Sequence, residues 1–283
     1  CFESIDNTAY AVFDGAGANF GNEYVNRIVI SGKVGNAISL PSTNPIYDDE
    51  ETKMVFLGWN RSSGNSNIPA GATSTVYEST DKYGNANTTN GYSAKPQNYD
   101  YTITLYDGEK VVGVLYYENS APTDDLKSSA FVAFEYNGKV YDAKDLNIAD
   151  DNSDAYKAAN KAYKSIIAPS KDGYTIKQWN DADKNKVIEV NNGDADDIVV
   201  DIKNLKDNLN LYAEFKADTY TIVYSNTFGD SQTQTVYVDE NVKLYGEIYL
   251  NEGFKLLGWT TSAGSSQVEY ELEGSFTLSG ADY

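Results

Sequence analysis

Histidine is absent from this 283-residue sequence, cysteine occurs once, and no apolar run reaches the length of a membrane-crossing helix. Each absence closes off a class of chemistry. Without imidazole there is no histidine-based triad, no histidine general base and no zinc site built on histidine. The single cysteine, Cys1, leaves no partner for an internal disulfide, and as a nucleophile it would lack its customary base. Neither a Walker loop nor a dinucleotide-binding glycine fingerprint occurs. Basic residues are scarce as well. The 22 Lys and Arg stand against 42 Asp and Glu, a net charge of -20, which argues against a broad basic face for nucleic acid or anionic membrane.

What is present points to β-structure. Hydrophobic residues make up 41% of the chain and aromatics 13%, with 24 tyrosines, a composition of folded, aromatic-rich β-domains and not of a disordered chain. The length suffices for two or three domains. All three tryptophans fall in one recurring phrase, so an internal repeat organises the sequence. Val55-Phe56-Leu57-Gly58-Trp59-Asn60-Arg61-Ser62-Ser63-Gly64 returns as Lys255-Leu256-Leu257-Gly258-Trp259-Thr260-Thr261-Ser262-Ala263-Gly264. A weaker copy is Gly173-Tyr174-Thr175-Ile176-Lys177-Gln178-Trp179-Asn180, with Gln178 where the others have glycine. A large aromatic after a strand, beside a glycine that permits close approach, is a core plug on which a small β-domain can be built.

With its flanks, the phrase resembles a known family. Ala11-Val12-Phe13-Asp14-Gly15-Ala16-Gly17-Ala18-Asn19-Phe20-Gly21 looks like the opening strand and glycine turn of the Listeria–Bacteroides repeat, or internalin B-repeat. Leu209-Asn210-Leu211-Tyr212-Ala213-Glu214-Phe215 looks like its closing Leu-Tyr-Ala-x-Trp strand, with Phe215 for the usual tryptophan. The match is specific in the first and third units; the second departs at Gln178 and carries a long insertion. The resemblance implies a mainly β (α+β) chain of tandem β-grasp-like units. It assigns structural roles to Gly58, Trp59, Trp179, Gly258, Trp259, Tyr212 and Phe215.

Read in order, residues 1–9 form an N-terminal segment and three units follow, at 10–98, 99–217 and 218–283. In the first unit the pattern predicts strands at Tyr10 to Phe13, Tyr24 to Ser31 and Lys53 to Trp59, with a turn at Pro41 to Pro45 and a long polar loop or short-strand insertion over 62–98. The second opens with hairpins at 101–117, turning on Asp107-Gly108, and at 131–141, turning on Asn137-Gly138. Its helix is predicted at about Ser153 to Ile167, with Ala155, Ala159, Ala162 and Ile166 on one face and Asp150, Asp151 and Ser153 at its start. The third unit starts with a hairpin at 220–238, and its closing strand is absent or only begun. An unclosed unit exposes a strand edge, and two readings follow: the sequence stops short of the natural C-terminus at Tyr283, or the missing strand comes from a neighbouring subunit.

Few residues suggest a site. Asp181-Ala182-Asp183-Lys184-Asn185-Lys186 has the alternating oxygens of a calcium loop at Asp181, Asp183 and Asn185, but it lacks the glycine and glutamate of an EF-hand. The acidic groups at Asp194, Asp196 and Asp197 and at Asp48 to Glu51 read as solvated turns. The many carboxylates offer pairs for glycoside hydrolysis, yet nothing singles one out. Cys1 is the position that would carry the lipid anchor of a mature lipoprotein, or it is simply where the sequence starts.

The expectation is therefore a non-enzymatic, extracellular cell-surface protein without a cofactor, calcium apart. It would be a stalk or adhesin, or a pilus-like filament subunit completed by strand complementation, with residues 1–9 as donor. Its partners would be its own copies, a host or neighbouring cell's surface protein, or a glycan. A glycan-binding module is the alternative, in which exposed tyrosines stack on sugar rings. Nucleic acid is not expected, and membrane only through an N-terminal lipid.

Overall fold

The structure, a computed structural model, describes residues 8–22, 25–33, 35–47, 53–61, 68–69, 74–76, 89–119, 131–147, 152–190, 202 and 205–278. The chain is mainly β with one α-helix among the described residues. Cys1, Tyr24, Asp48 to Glu51, Asp150, Asp151 and the acidic group at 194–197 lie outside them. Two compact units are present: Cys1–Pro169 with Gln178–Ala213, and Ser170–Lys177 with Glu214–Tyr283.

The first repeat contains β1 (Thr8–Asp14), β2 (Arg27–Lys33), β3 (Ala37–Ser39), β4 (Met54–Arg61), β5 (Ile68–Pro69), β6 (Ser74–Val76) and β7 (Thr89–Asn98). Its main sheet has the order β2-β1-β7-β4-β5, in which β1 and β7 run parallel. The first and last strands are thus neighbours, and the Gly-Trp strand β4 lies on the far side of the last. Ala11 and Phe13 of β1, Phe56 and Trp59 of β4, and Tyr92 and Ala94 of β7 alternate into one buried core.

Of the two expectations for 62–98, a long polar loop or a short-strand insertion, the structure favours strands, β5, β6 and β7, of which the ten-residue β7 is longer than expected. Thr89-Asn90-Gly91-Tyr92-Ser93-Ala94-Lys95-Pro96-Gln97-Asn98 carries turn-forming residues and only two inward apolar side chains, so it does not read as a strand. Its register resolves the conflict. β1 pairs with β7 only as far as Ser93, so Pro96 lies beyond that neighbour, and against β4 it falls at a register shift. Long-range pairing, not local preference, makes this segment a strand.

The second repeat comprises β8 (Tyr101–Asp107), β9 (Lys110–Tyr117), β10 (Phe131–Tyr136), β11 (Lys139–Asp142), a 3-10 turn at Ala143–Asn147, α1 (Asp154–Ile167), β12 (Tyr174–Asn180), β13 (Lys186–Glu189) and β14 (Leu209–Ala217). The sheet order is β11-β10-β9-β8-β14-β12-β13, again with the first and last strands, β8 and β14, parallel. Stripped of the added hairpin β10–β11, it repeats the order of the first sheet. Asn137 (φ 51) and Gly138 (φ 74) make the tight turn predicted for that hairpin.

Ser153 caps α1 by accepting a hydrogen bond from the Tyr156 amide at 3.2 Å. The helix buries Ala159, Ala162, Tyr163, Ile166 and Ile167, whereas Ala155, expected on that face, is exposed. Tyr163 takes the inward position instead, stacking on Phe131 of β10. Gly113 of β9 lets the helix approach: a Cβ there would stand 2.6 Å from Ile166.

The third repeat has β15 (Thr219–Ser225), β16 (Ser231–Tyr237), β17 (Asn241–Lys243), β18 (Gly258–Trp259), β19 (Tyr270–Glu271) and β20 (Ser275–Thr277). They form three two-stranded ladders, β15-β16, β17-β20 and β18-β19. The counterparts in the first repeat are β1-β2, β3-β6 and β4-β5. Val236, Val238, Val242 and Leu278 form its small core.

Candidate functional site

Two features recur closely enough to be built for a purpose: the Gly-Trp strand and the strand that closes each sheet. In the first copy Trp59 pairs with Ile68 and Gly58 with Pro69; in the second Trp179 pairs with Ile188 and Gln178 with Glu189; in the third Trp259 pairs with Tyr270 and Gly258 with Glu271. The same short partner strand therefore follows the tryptophan each time. Gly58 sits at φ 125, outside the range of side-chain-bearing residues, and marks the bulge that turns both Phe56 and Trp59 inward. Gly258 is required for space, since a Cβ would lie 2.4 Å from Val268 Cγ1.

The tryptophans are not equally enclosed. Trp59 is 4% exposed, with Phe13 and Phe56 edge-on at 5.0 and 5.1 Å and Phe20 stacked at 6.0 Å. Trp179 is 0% exposed, and its indole N–H donates to the Ile167 carbonyl at 2.9 Å, satisfying a group at the helix C-terminus that has no partner within the helix. Trp259 donates to the Tyr245 carbonyl over the same 2.9 Å but is only partly buried. Tyr212 of β14 stacks on Tyr106 of β8 at 5.2 Å, and Phe215 lies 5.0 Å from the Lys171 ammonium.

The outward face of the first Gly-Trp strand joins the first two repeats. Val55 and Leu57 pack with Ala133, Tyr99, Tyr116 and Val140, and Lys95 Nζ of β7 meets Asp142 Oδ2 of β11 at 2.7 Å. Only residues 99 and 100 separate β7 from β8. Asp145 lies close by. Burial, and then the Asp142 carboxylate, hold its carboxyl above the usual 3.8 against the opposite pull of Lys95 and Lys139. Both oxygens of Asp142 are engaged, one by Lys95 and the other by the Lys144 amide at 3.0 Å.

The candidate calcium residues lie in the turn between β12 and β13. Asp181 Oδ1 accepts from the Asp183 amide at 3.0 Å and the Asn185 amide at 2.8 Å, while Oδ2 accepts from Asn185 Nδ2 at 3.0 Å. These bonds, that of the Asn185 side chain first, lower the carboxyl's pKa. The spacing thus closes a turn through its own donors. Among the described residues no group of three or more Asp, Glu or Cys is placed to hold a metal ion.

The closing strand is the element that reading for strands missed in the first repeat. Its signal lay in the neighbouring repeat, where Leu209-Asn210-Leu211-Tyr212 alternates openly. Comparison of the chain with protein families, with curated proteins and with solved structures gives no match.

Proposed function

We propose that this chain is a non-enzymatic structural segment of an extracellular stalk, built of internalin B-repeat-like modules in series and suited to bear tension. The observation that carries the reading is the parallel pairing of the first and last strands in each complete repeat, β1 with β7 and β8 with β14. The chain enters such a pair at one end and leaves at the other. Pulling on the two ends then loads the whole ladder in shear, so its hydrogen bonds must break together and not one by one. β7 passes to β8 through two residues and β14 to β15 through one, which places the loaded ladders in series along the chain.

Tyrosines spread along the sheets and paired with one another, Tyr99 edge-on to Tyr116 and Tyr106 stacked on Tyr212, support a structural role over a sugar-binding face. Single-molecule stretching from both ends is the test. Each complete repeat is expected to give a discrete rupture, with roughly 300 Å of chain released by the first. Smooth extension with no rupture peak would overturn the tension-bearing role.

A further inference from the structure

An ion pair at the joint between the first two repeats is placed for a reaction. Tyr92 and Ala94 turn into the first core, so the alternation of β7 points Ser93 and Lys95 out of it. On β11 Val140 packs with Val55 and Leu57, and Asp142, two residues on, faces the same way. Lys95 Nζ thereby donates to Asp142 Oδ2 at 2.7 Å, with 38% of the Lys95 side chain exposed and only 11% of that of Asp142. The Arg27–Asp14 pair is more open, at 60% and 40%. We propose that Lys95 and Asp142 condense into an intramolecular amide, a covalent tie between β7 and β11 that the folded chain makes unaided. The inference goes beyond the stalk reading and stands whether or not the repeats bear tension.

The step balances within the chain. Lys95 enters as an ammonium and Asp142 as a carboxylate. Transfer of one proton across the 2.7 Å contact gives an amine and a carboxylic acid, a neutral pair that withdrawal from water favours over two charges. The Nζ lone pair then attacks Asp142 Cγ. Oδ1 takes up the developing negative charge, and the Lys144 amide already donates to it at 3.0 Å. The Cγ–Nζ bond forms and the Cγ–Oδ2 bond breaks. Oδ2 leaves as water, with the proton first taken from Lys95 and a second released by the same nitrogen. No oxidant, metal or second substrate enters.

Asp145, in the 3-10 turn that follows β11, is the group to carry the second proton. Burial first, and then the Asp142 carboxylate, hold its carboxyl above the ordinary 3.8, while Lys95 and Lys139 pull the other way. It is thus close enough to feel both reacting groups and keeps a proton more readily than a solvated aspartate. The product fits the joint. An amide replaces two partly enclosed charges with one neutral link, and it bridges 47 positions of sequence between strands of two different sheets. One cysteine in the sequence leaves no disulfide to do the same.

The experiment follows the intact mass of the whole chain, held folded at neutral pH, with mapping of its tryptic peptides. The expected product is lighter than the sequence by one molecule of water and yields a branched peptide joining Lys95 to Asp142. Lys95→Arg keeps the charge and the ion pair, but its guanidinium stays protonated and is no nucleophile, so this variant should fold with unchanged far-ultraviolet circular dichroism and retain its full mass. Asp145→Asn cannot carry a proton and should reach the same product at least about tenfold more slowly, with Asp145→Glu recovering part of the rate. Chain kept unfolded in urea should lose no water, because only the fold brings the two groups together. The proposal is overturned if the folded chain keeps its full mass, if the branch joins other residues, or if Lys95→Arg loses the same water, as a succinimide at Asp107-Gly108 would.

Discussion

Replacing tryptophan by phenylalanine at two copies of the same motif separates burial from hydrogen bonding. Trp179 and Trp259 each donate to a backbone carbonyl at 2.9 Å, so the bond itself is matched. Their surroundings are not. Trp179→Phe removes about 40 Å² of buried apolar surface, worth about 1 kcal/mol, and leaves a void of roughly 40 Å³ that adds about 1 kcal/mol. It also strands the Ile167 carbonyl in a dry core at the end of α1, at a cost of about 1–2 kcal/mol. The total is about 3–4 kcal/mol. At Trp259 water reaches the site and can take over the Tyr245 carbonyl, so Trp259→Phe should cost only about 1 kcal/mol. Guanidinium unfolding followed by far-ultraviolet circular dichroism, with amide exchange to assign each transition to its unit, measures both. Losses within about 0.5 kcal/mol of each other would refute the claim that enclosure sets the energetics of this motif.

Gly113→Ala drives a methyl group into Ile166, which is fully buried and has nowhere to move, and should cost about 1–3 kcal/mol and loosen α1 in hydrogen exchange. Asp145 holds its proton more tightly in the folded chain than in the unfolded one. Its contribution to stability is therefore complete below the ordinary 3.8 and is lost as pH rises through the raised folded value. Asp145→Asn stays neutral and should exceed the parent at pH 7 by less than about 1 kcal/mol, after allowance for solvent screening, the two converging in acid; thermal melts across that range check the sign. Asp14 behaves oppositely, because hydrogen bonding to Arg27 lowers its carboxyl below 3.8, and this small contribution disappears as pH falls through the folded value. An Asp14→Asn chain should show no such acid-side loss in the same melts.

Local patterning made the hairpins and the helix legible. Asp107-Gly108 and Asn137-Gly138 announce turns without reference to the rest of the chain, and Ser153 announces a cap. The face of α1 was less secure: alanines at 155, 159 and 162 fit one stripe, but Tyr163 gives the core more surface than Ala155 can. Closing strands divide on the same principle. Leu209-Asn210-Leu211-Tyr212 advertises itself by alternation, whereas Thr89–Asn98 owes its extended form to neighbours fixed far away in sequence. The Gly-Trp phrase identified its copies correctly, yet nothing in it tells that one tryptophan is incompletely enclosed. That depends on a strand contributed by another stretch of chain.

The position of the closing strand dictates the order in which a repeat can assemble during synthesis. In the first sheet β7 lies between β1 and β4, although it is the last of the three to leave the ribosome. At about 5–20 residues per second, β1 waits roughly 4–18 s for the partner that covers its inner edge. The emerging hairpin therefore presents an open parallel edge, and pairing across so long a separation is intrinsically slow. Each repeat is sealed from the middle, by a wedge that arrives last, and the next repeat starts to emerge two residues later.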